Sequence, residues 1–206
     1  MPQLPLFESD SLNKWLSIPD GELFFDPNWL SPQEADDWMK VLMEEIAWEQ
    51  REIQMFGKRL MEPRLTAWYG DAGMAYTYSG LTLQPLPWTD SLLQLKQQVE
   101  ETADATFNSV LLNLYRDGQD SMGWHSDDEP ELGENPVIAS ISLGEERKFH
   151  LRHRKDKSVE TIRLSLGSGS LLIMAGSTQH FWQHQVPKTR RQLGVRINLT
   201  FRRIYQ

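Results

Sequence analysis

The stretch Asn113-Leu-Tyr-Arg-Asp-Gly-Gln-Asp-Ser-Met-Gly-Trp-His-Ser-Asp-Asp-Glu129 places a histidine and a carboxylate two residues apart, at His125 and Asp127. In an extended segment, residues i and i+2 point to the same face, so both side chains can reach one ion. A third candidate ligand follows in Phe181-Trp-Gln-His-Gln-Val-Pro187, which contains His184. On chemistry alone His180 competes with His184 for that role, because both lie near the same predicted strand.

A second stretch, Arg196-Ile-Asn-Leu-Thr-Phe-Arg202, alternates polar and apolar residues, so the polar face of an extended strand is expected to line a pocket. A guanidinium there can hold a carboxylate by two parallel hydrogen bonds. Two neutral imidazoles and one carboxylate, with the other coordination positions open, form the facial triad typical of non-heme Fe(II) sites. The sequence therefore predicts a metal centre beside a carboxylate-binding strand.

Composition narrows the class of protein. The chain has 206 residues, 24% charged and 39% apolar, which is typical of one globular domain. No apolar run is long enough to span a bilayer, and the N-terminal residues lack a secretory signal pattern. The absence of cysteine excludes disulfides, cysteine-ligated zinc and iron–sulfur clusters. We expect a cytoplasmic monomer without a membrane partner, associated with the nucleoid in a bacterium or nuclear in a eukaryote.

The net charge of −8 is unevenly distributed along the chain. Residues 1–50 hold eleven acidic residues and only two lysines, so the rest of the chain is close to neutral. Residues 147–157 and 188–203 each hold six basic residues, with one acidic residue in the first stretch and none in the second. Local patches attract phosphates more than the total charge does. The charge balance is therefore compatible with a nucleic-acid partner but does not require one.

Two helices are predicted in the first half of the chain. Ser31 is a typical N-cap, followed by proline at the first helical position and Glu34 three residues after the cap, which predicts a helix to about Ala47. Thr89 caps a second helix, whose buried face is expected to hold Leu92, Leu95 and Val99. Residues 1–30 are expected to be irregular, with a short strand at residues 23–25. Ile53-Gln-Met-Phe-Gly-Lys58 predicts a hairpin tip.

From Phe107 onward the pattern favours short strands separated by Gly, Pro and Asp. We expect one α+β domain over residues 1–206, in which N-terminal helices support a double sheet or jelly roll. Its parts are residues 1–47 as lead-in and helix, 48–88 as a lid, and 89–206 as helix and sheets. The predicted strands are residues 107–115, 136–143, 147–153, 159–164, 170–174, 181–186 and 194–203.

Several linked motifs resemble the AlkB family of Fe(II)- and 2-oxoglutarate-dependent dioxygenases, which repair alkylated nucleic acids. The resemblance covers roughly residues 48–204 and is greatest to the human homologues that act on DNA and RNA. It implies a double-stranded β-helix core with a nucleotide-recognition hairpin lid. The motifs are Phe56-Gly57-Lys58, Pro63-Arg64, Tyr76-Thr-Tyr78-Ser-Gly, Asn113-x-Tyr115, His125-x-Asp127-Asp128-Glu129, Trp182-Gln-His184-x-Val-Pro187 and Arg196-x-Asn198-Leu-Thr-Phe-Arg202.

This resemblance implies roles for individual residues. It assigns the metal to His125, Asp127 and His184, and leaves His180 without a role. It implies that Arg196 and Arg202 bind the carboxylates of 2-oxoglutarate, with Asn113, Tyr115 and Asn198 as hydrogen-bonding neighbours. The implied reaction consumes O2 and 2-oxoglutarate, yields succinate and CO2, and hydroxylates the alkyl group of a base such as 1-methyladenine or 3-methylcytosine. Formaldehyde and the restored base are then released.

The resemblance also implies how a base is reached, because a base inside a duplex must be extruded first. Met55 and Phe56 occupy the hairpin tip that fills the vacated place, and Phe56 favours activity on duplex DNA. Tyr78 replaces the stacking Phe of the family pattern, with Tyr76 beside it, and Glu129 suits a cationic base. Predicted phosphate contacts are Lys58, Arg64, Arg152, Arg154 and Arg190.

Other functions remain compatible with the same residues. A dioxygenase of a protein or small-molecule substrate keeps the metal chemistry but gives no role to the hairpin and the basic stretches. A nucleic-acid-binding module without turnover is disfavoured by the intact triad and both arginines. A zinc hydrolase is the weakest alternative, because it offers no role for the Arg196–Arg202 strand.

Overall fold

Two antiparallel sheets form the core of the computed structural model, which describes residues 15–55, 58–74, 76–78 and 81–205. Side chains are described for these residues except 53–55, 58, 76–78 and 81–83. The helices are α1 (Pro32–Glu45), α2 (Asp90–Ala103) and α3 (Thr178–Phe181), with a 3₁₀ turn at Pro130–Leu132. The strands are β1 (Trp15–Ile18), β2 (Gly21–Asp26), β3 (Glu52–Met55), β4 (Lys58–Met61), β5 (Leu65–Gly70), β6 (Tyr76–Tyr78), β7 (Leu81–Leu83), β8 (Ser109–Tyr115), β9 (Met122–His125), β10 (Ile138–Gly144), β11 (Arg147–His153), β12 (Ile162–Leu166), β13 (Ser170–Ala175), β14 (Trp182–Val186) and β15 (Arg196–Arg202).

The major sheet has seven strands in the order β1-β2-β13-β10-β15-β8-β5, and the minor sheet has four in the order β12-β11-β14-β9. Every pairing in these two sheets is antiparallel. The minor sheet alternates buried and exposed residues, so only one of its faces meets the core. The major sheet is buried on both faces, because the helices cover the face turned away from the minor sheet. The predicted jelly-roll fold is confirmed.

Both predicted helices are present and begin where their caps indicate. Ser31 and Glu34 form a reciprocal capping box at the start of α1, and the hydroxyl of Thr89 accepts the backbone N–H of Leu92 in α2. The inner face of α1 is buried through Ala35 and Leu42, and that of α2 through its leucines and Val99. Helix α1 ends at Glu45, because Ile46 already has an extended backbone.

Residues 15–30 contain more β-structure than the prolines in this part of the sequence predict. The expected strand at residues 23–25 lies within β2, but β1 was not predicted, and the two strands form the edge of the major sheet. The fourth predicted strand is displaced, because β12 covers residues 162–166 rather than 159–164. Strand β9 is also additional, and its last residue is His125.

The range expected to form the lid contains two kinds of structure. Strand β5 lies in it yet pairs with β8 as the edge strand of the major sheet. The remaining strands form two hairpins, β3–β4 and β6–β7. Met55 and Lys58 are register partners, which supports the expected hairpin, whereas Phe56 lies outside the described residues. None of the helices in the described part of the chain is long and apolar enough to cross a membrane.

Candidate active site

A cleft of about 50 Å³ opens between the two sheets. Strands β8 and β15 form its floor from the centre of the major sheet, and β9 and β14 form its roof from the edge of the minor sheet. The pairing of β15 with β8 sets Arg196 opposite Tyr115 and Asn198 opposite Asn113. The residues that line the cleft are Leu111, Asn113, Tyr115, Met122, His125, Asp127, Ser140, Phe149, Met174, His184, Val186, Arg196, Asn198, Thr200 and Arg202.

Three predicted metal ligands converge at the roof of the cleft. One ligand atom each from His125, Asp127 and His184 lies within 4.8 Å of the others, the one such cluster in the described part of the chain. The pairing of β9 with β14 places His125 directly opposite His184, with ring centroids 4.1 Å apart. His180 lies on α3 instead, where its Nε2 accepts a long 3.4 Å hydrogen bond from the backbone of Asn135. The geometry selects His184 as the third ligand.

Neighbouring groups orient the ligand atoms of the triad. Nδ1 of His125 lies 2.9 Å from the carbonyl oxygen of Gly123, to which it donates, so Nε2 carries the free lone pair. Oδ1 of Asp127 accepts from Nη2 of Arg202 at 2.8 Å. Oδ2 of Asp127 lies 4.0 Å from Nε2 of His184, a separation that suits two ligands of one ion.

Charge in the triad is already suited to a cation. Burial raises the pKa of Asp127, but the positive charge of Arg202 outweighs this effect, and His184 and His125 add to the decrease. The pKa of Asp127 is therefore lowered to about 2. Burial lowers the pKa of His184 to about 3, and His125 and Arg202 contribute to that decrease. At neutral pH, Asp127 is therefore anionic and His184 neutral, which are the forms that bind a divalent metal.

The floor of the cleft holds a buried cation that forms no ion pair with any described residue. Arg196 is 1% exposed, and its Nη2 donates to Ser142 at 2.9 Å. Its Nε and Nη1 have no hydrogen-bond partner among the described residues. Burial lowers the pKa of Arg196 to about 10, with Arg147 adding to the decrease and Tyr115 opposing it. Two unused donors on a buried guanidinium suit a carboxylate, here the carboxylate of 2-oxoglutarate that is farther from the metal (its distant carboxylate). The triad suits Fe(II).

Comparison with known proteins agrees with this donor set. The family model described as the 2OG-Fe(II) oxygenase superfamily matches residues 23–202. A mouse relative, DNA oxidative demethylase ALKBH2, is 44% identical over 180 residues, which cover 83% of this chain and 75% of the relative. The chain belongs to this superfamily and, within it, to the AlkB family.

Two other matches carry less weight for the family assignment, one because it covers less of the relative and the other because its sequence identity is low. Bovine alpha-ketoglutarate-dependent dioxygenase alkB homolog 3 is 45% identical over 187 residues, or 87% of this chain. The match covers 65% of that relative, so the chain spans less than two thirds of its length. The solved structure of OsALKBH1 has a TM-score of 0.60 over 92% of this chain and 99% of its own. Because the sequences are only 16% identical, this similarity establishes the fold alone.

The other residues predicted to contact 2-oxoglutarate are held by the protein in different ways. Oδ1 of Asn113 accepts from Arg64, which leaves the Nδ2 side of its amide as the donor. Tyr115 lies beneath the guanidinium of Arg196, 5.2 Å from ring centroid to Cζ. The amide nitrogen of Asn198 donates to both Ser140 and Ile141, and its oxygen accepts from Thr200. Asn198 therefore supports the cleft wall, and its direct contact with 2-oxoglutarate stays a prediction.

Arg64 does not lie on the surface. It is 5% exposed, and its guanidinium donates to Glu62 at 3.1 Å and to Asn113 at 2.7 Å. The prediction of a phosphate contact at Arg64 is wrong, because reaching solvent would break a buried ion pair. The sequence contained one indication of this, an acidic residue two positions earlier in Glu62-Pro-Arg64.

The structure describes some of the remaining side chains that were predicted to contact the substrate, but not all of them. Glu129 follows the triad closely, and its Oε2 is buried without a partner in the described part of the chain. Arg152 is exposed on the outer face of the minor sheet, where it stacks on Trp124 at 4.1 Å. Predictions for Met55, Phe56, Lys58, Tyr76 and Tyr78 concern side chains outside the described set.

Sequence reasoning missed several polar residues that shape the site. Ser142 and Ser140 on β10 bind Arg196 and Asn198, and Arg147 packs beside Tyr115. Gln179 accepts the backbone N–H of Asp127. The serines alternate with buried apolar residues along Ile138–Gly144, a pattern that indicates a polar face turned toward a pocket.

Proposed function

We propose that this protein is an Fe(II)- and 2-oxoglutarate-dependent dioxygenase that removes alkyl groups from base nitrogens of DNA, with RNA as a second candidate substrate. One observation carries the proposal: three residues that can hold a metal share their cleft with Arg196, a buried cation that pairs with no anion in the described part of the chain. The AlkB relatives include proteins named DNA oxidative demethylase, which supports a damaged base as the substrate.

The chain's own residues have distinct tasks in this reaction. Bound iron, with 2-oxoglutarate and O2, supplies the oxidation that hydroxylates the alkyl carbon. His125, Asp127 and His184 would hold the metal. Arg196 would bind the carboxylate of 2-oxoglutarate that is farther from the metal, which would orient this co-substrate along the floor of the cleft. Arg202 fixes Oδ1 of Asp127 and leaves Oδ2, the oxygen that lies 4.0 Å from His184, to act as the ligand atom.

A base enters this cleft beside Glu129. The 3₁₀ turn that Glu129 precedes has no side-chain cap from it, so its carboxylate is not used by the fold there. A buried acceptor without a donor favours a ligand that supplies one. The methylated bases 1-methyladenine and 3-methylcytosine carry a positive charge and an exocyclic amino group. Both features match an acceptor with negative charge. In this proposal Tyr76 and Tyr78 stack on the base and Phe56 occupies its place in the duplex.

The outer face of the minor sheet carries several exposed basic residues. Arg152 on β11 lies over Trp124, the neighbour of His125, and also donates to Gln183. Lys148 and Arg163 lie on the same face because β11 and β12 alternate buried and exposed residues. We assign the phosphate backbone to this face. Arg154 pairs with Asp128 at 2.6 Å, so it contributes less free charge than Arg152 does.

The test is repair of a defined lesion. Anaerobically purified protein loaded with Fe(II) is mixed with 2-oxoglutarate, O2 and an oligonucleotide that contains N1-methyladenine, single-stranded or duplex. Mass spectrometry then measures restored adenine and succinate. We expect repair that requires 2-oxoglutarate, is lost in His125→Ala and His184→Ala, and persists in the matched control His180→Ala.

The other outcomes separate the alternatives. Succinate without restored adenine in either strand form would keep the dioxygenase and assign it another substrate, such as a protein or small molecule. Absence of both products would contradict the enzyme assignment. Repair that persists in His184→Ala but is lost in His180→Ala would contradict the assignment of the third ligand.

A further inference from the structure

The segment that carries two of the metal ligands leaves its sheet between them. His125 is the last residue of β9, so Asp127 lies beyond the strand pairing. Asp127 is nevertheless buried, and a buried backbone N–H outside a sheet needs another acceptor. The position of this carboxylate therefore depends on contacts that the sheet does not supply.

Two side-chain hydrogen bonds supply these contacts. Oε1 of Gln179, a residue that is 0% exposed, accepts the backbone N–H of Asp127 at 2.9 Å. Because a backbone N–H can only donate, this bond fixes the amide orientation and turns Nε2 toward the sulfur of Met174, 3.5 Å away. The hydroxyl of Ser126 donates to the carbonyl oxygen of Trp182 at 2.8 Å. We call the bonds made by Ser126 and Gln179 the clamp.

We propose that Gln179 and Ser126 are positioning residues, which hold the His125–Asp127 segment in its metal-binding geometry before the metal arrives. Both partners of this segment lie between residues 179 and 182, immediately before His184 in the chain. The clamp thus ties the segment with the first two ligands to α3 and to the first residue of β14, the strand that carries the third. This inference rests on the metal site of the proposed function and is independent of its nucleic-acid substrate.

A matched control lies in the same turn. Thr178, adjacent to Gln179, is equally buried, and its hydroxyl accepts the backbone N–H of Glu22 at 3.0 Å. The same hydroxyl lies within donating distance of the carbonyl oxygens of Glu22, at 3.2 Å, and Ala175, so all of its contacts face β2 and β13 rather than the metal ligands. Thr178→Val and Gln179→Met each remove one buried polar group and approximately conserve the side chain's size. Only the second change releases Asp127.

The experiment compares metal affinity with stability in Gln179→Met, Ser126→Ala and Thr178→Val, without nucleic acid or 2-oxoglutarate. Anaerobic calorimetry gives Fe(II) and Mn(II) affinities, visible absorption of the Co(II) form reports ligand geometry, and thermal unfolding of the metal-free protein gives Tm. We expect Gln179→Met to weaken metal binding about 10–100-fold and to alter the Co(II) spectrum, as loss of contacts behind metal ligands does elsewhere. Ser126→Ala should shift both in the same direction by less. Thr178→Val should lower Tm and leave metal affinity and spectrum unchanged.

Two results would overturn the inference. Wild-type affinity and spectrum in Gln179→Met, at any Tm, would make Gln179 a structural residue only. An equal loss of affinity in Thr178→Val would trace the effect to general loosening of the turn. If Gln179→Met does not fold, Ser126→Ala decides, since Ser126 is partly exposed and wild-type affinity there would contradict the clamp. Failure to repair an oligonucleotide, by contrast, would leave these measurements unaffected.

Discussion

Arg147 and Arg196 lie over the ring of Tyr115, with their guanidinium carbons 5.4 and 5.2 Å from its centroid, and both are almost completely buried. Their hydrogen bonds differ. Arg147 donates to three carbonyl oxygens, those of Asp117, Asp120 and Pro187. Arg196 donates to Ser142, while its Nε and Nη1 find no partner in the described part of the chain. Burial and charge therefore do not identify a binding residue, whereas unused donors do.

The comparison predicts its largest effect at the residue with unused donors. Arg196→Met removes two charge-assisted hydrogen bonds to 2-oxoglutarate, worth about 3–5 kcal/mol together. We expect kcat/KM for 2-oxoglutarate to fall roughly 10²–10³-fold in a succinate assay. The Tm of the metal-free protein should stay the same or rise, because the variant no longer buries an unpaired charge. A large loss of Tm would show that Arg196 is structural like Arg147.

Arg147→Met should show the opposite pattern. The variant leaves three carbonyl oxygens without their donor, so the free energy of unfolding should fall by about 3 kcal/mol in urea denaturation. KM for 2-oxoglutarate should change far less than in Arg196→Met, when measured at a temperature where both variants are folded. A selective rise in KM without loss of stability would place Arg147 among the ligand-binding residues.

Ligand binding sharpens the same contrast without measuring turnover. 2-Oxoglutarate at 100 times its Kd should stabilise the protein by about 2.7 kcal/mol, because it binds only the folded state. Thermal unfolding under anaerobic conditions, with Mn(II) in the metal site, measures this shift. Arg147→Met should retain the shift, and Arg196→Met should lose most of it. Equal shifts in the two variants would contradict the assignment of the distant carboxylate to Arg196.

His184 is another buried group of the cleft, and it predicts an effect on stability that depends on pH. Its pKa is about 3 in the folded protein, below the value of about 6.5 for an unfolded histidine. The unfolded state therefore binds more protons below pH 6.5, and stability falls as pH decreases from there toward 3. Asp127, with a folded pKa of about 2, adds to the loss below about pH 4.

Urea denaturation of the metal-free protein at several pH values measures this effect. We expect His184 to contribute a decrease of about 1.4 kcal/mol per pH unit below pH 6.5, and His184→Gln to remove that contribution. An unchanged slope in His184→Gln would mean that other groups cause the pH dependence.

Local patterns account for what the sequence predicted well. The capping residues of α1 and the alternation in Arg196–Arg202 depend on neighbours in the chain, and both are present as expected. The spacing of His125 and Asp127 predicts that the two side chains share one face of an extended segment. Asp127 lies beyond β9, however, and its hydrogen bond to Gln179 holds it in place. The choice of His184 over His180 needed either the family resemblance or the pairing of β9 with β14.

Other features depend on distant contacts that no local pattern records. An arginine such as Arg64 is expected on the surface from its charge alone. It is buried because Glu62 and Asn113 accept hydrogen bonds from its guanidinium. Gln179 is an ordinary polar residue of a short turn until Asp127 is placed beside it. Strand β1 has only four residues and, among the described strands, pairs with β2 alone, so its formation depends on β2 being held by β13.

Strand β15 is the last strand described along the chain, yet it lies in the middle of the major sheet, between β10 and β8. Until residues 196–202 are inserted there, the sheet is divided into two parts and the cleft lacks the part of its floor that β15 forms. Folding during synthesis must therefore leave two strand edges unpaired until residues 196–202 have emerged. Such edges pair readily with other chains, so the order of assembly exposes the unfinished protein to aggregation.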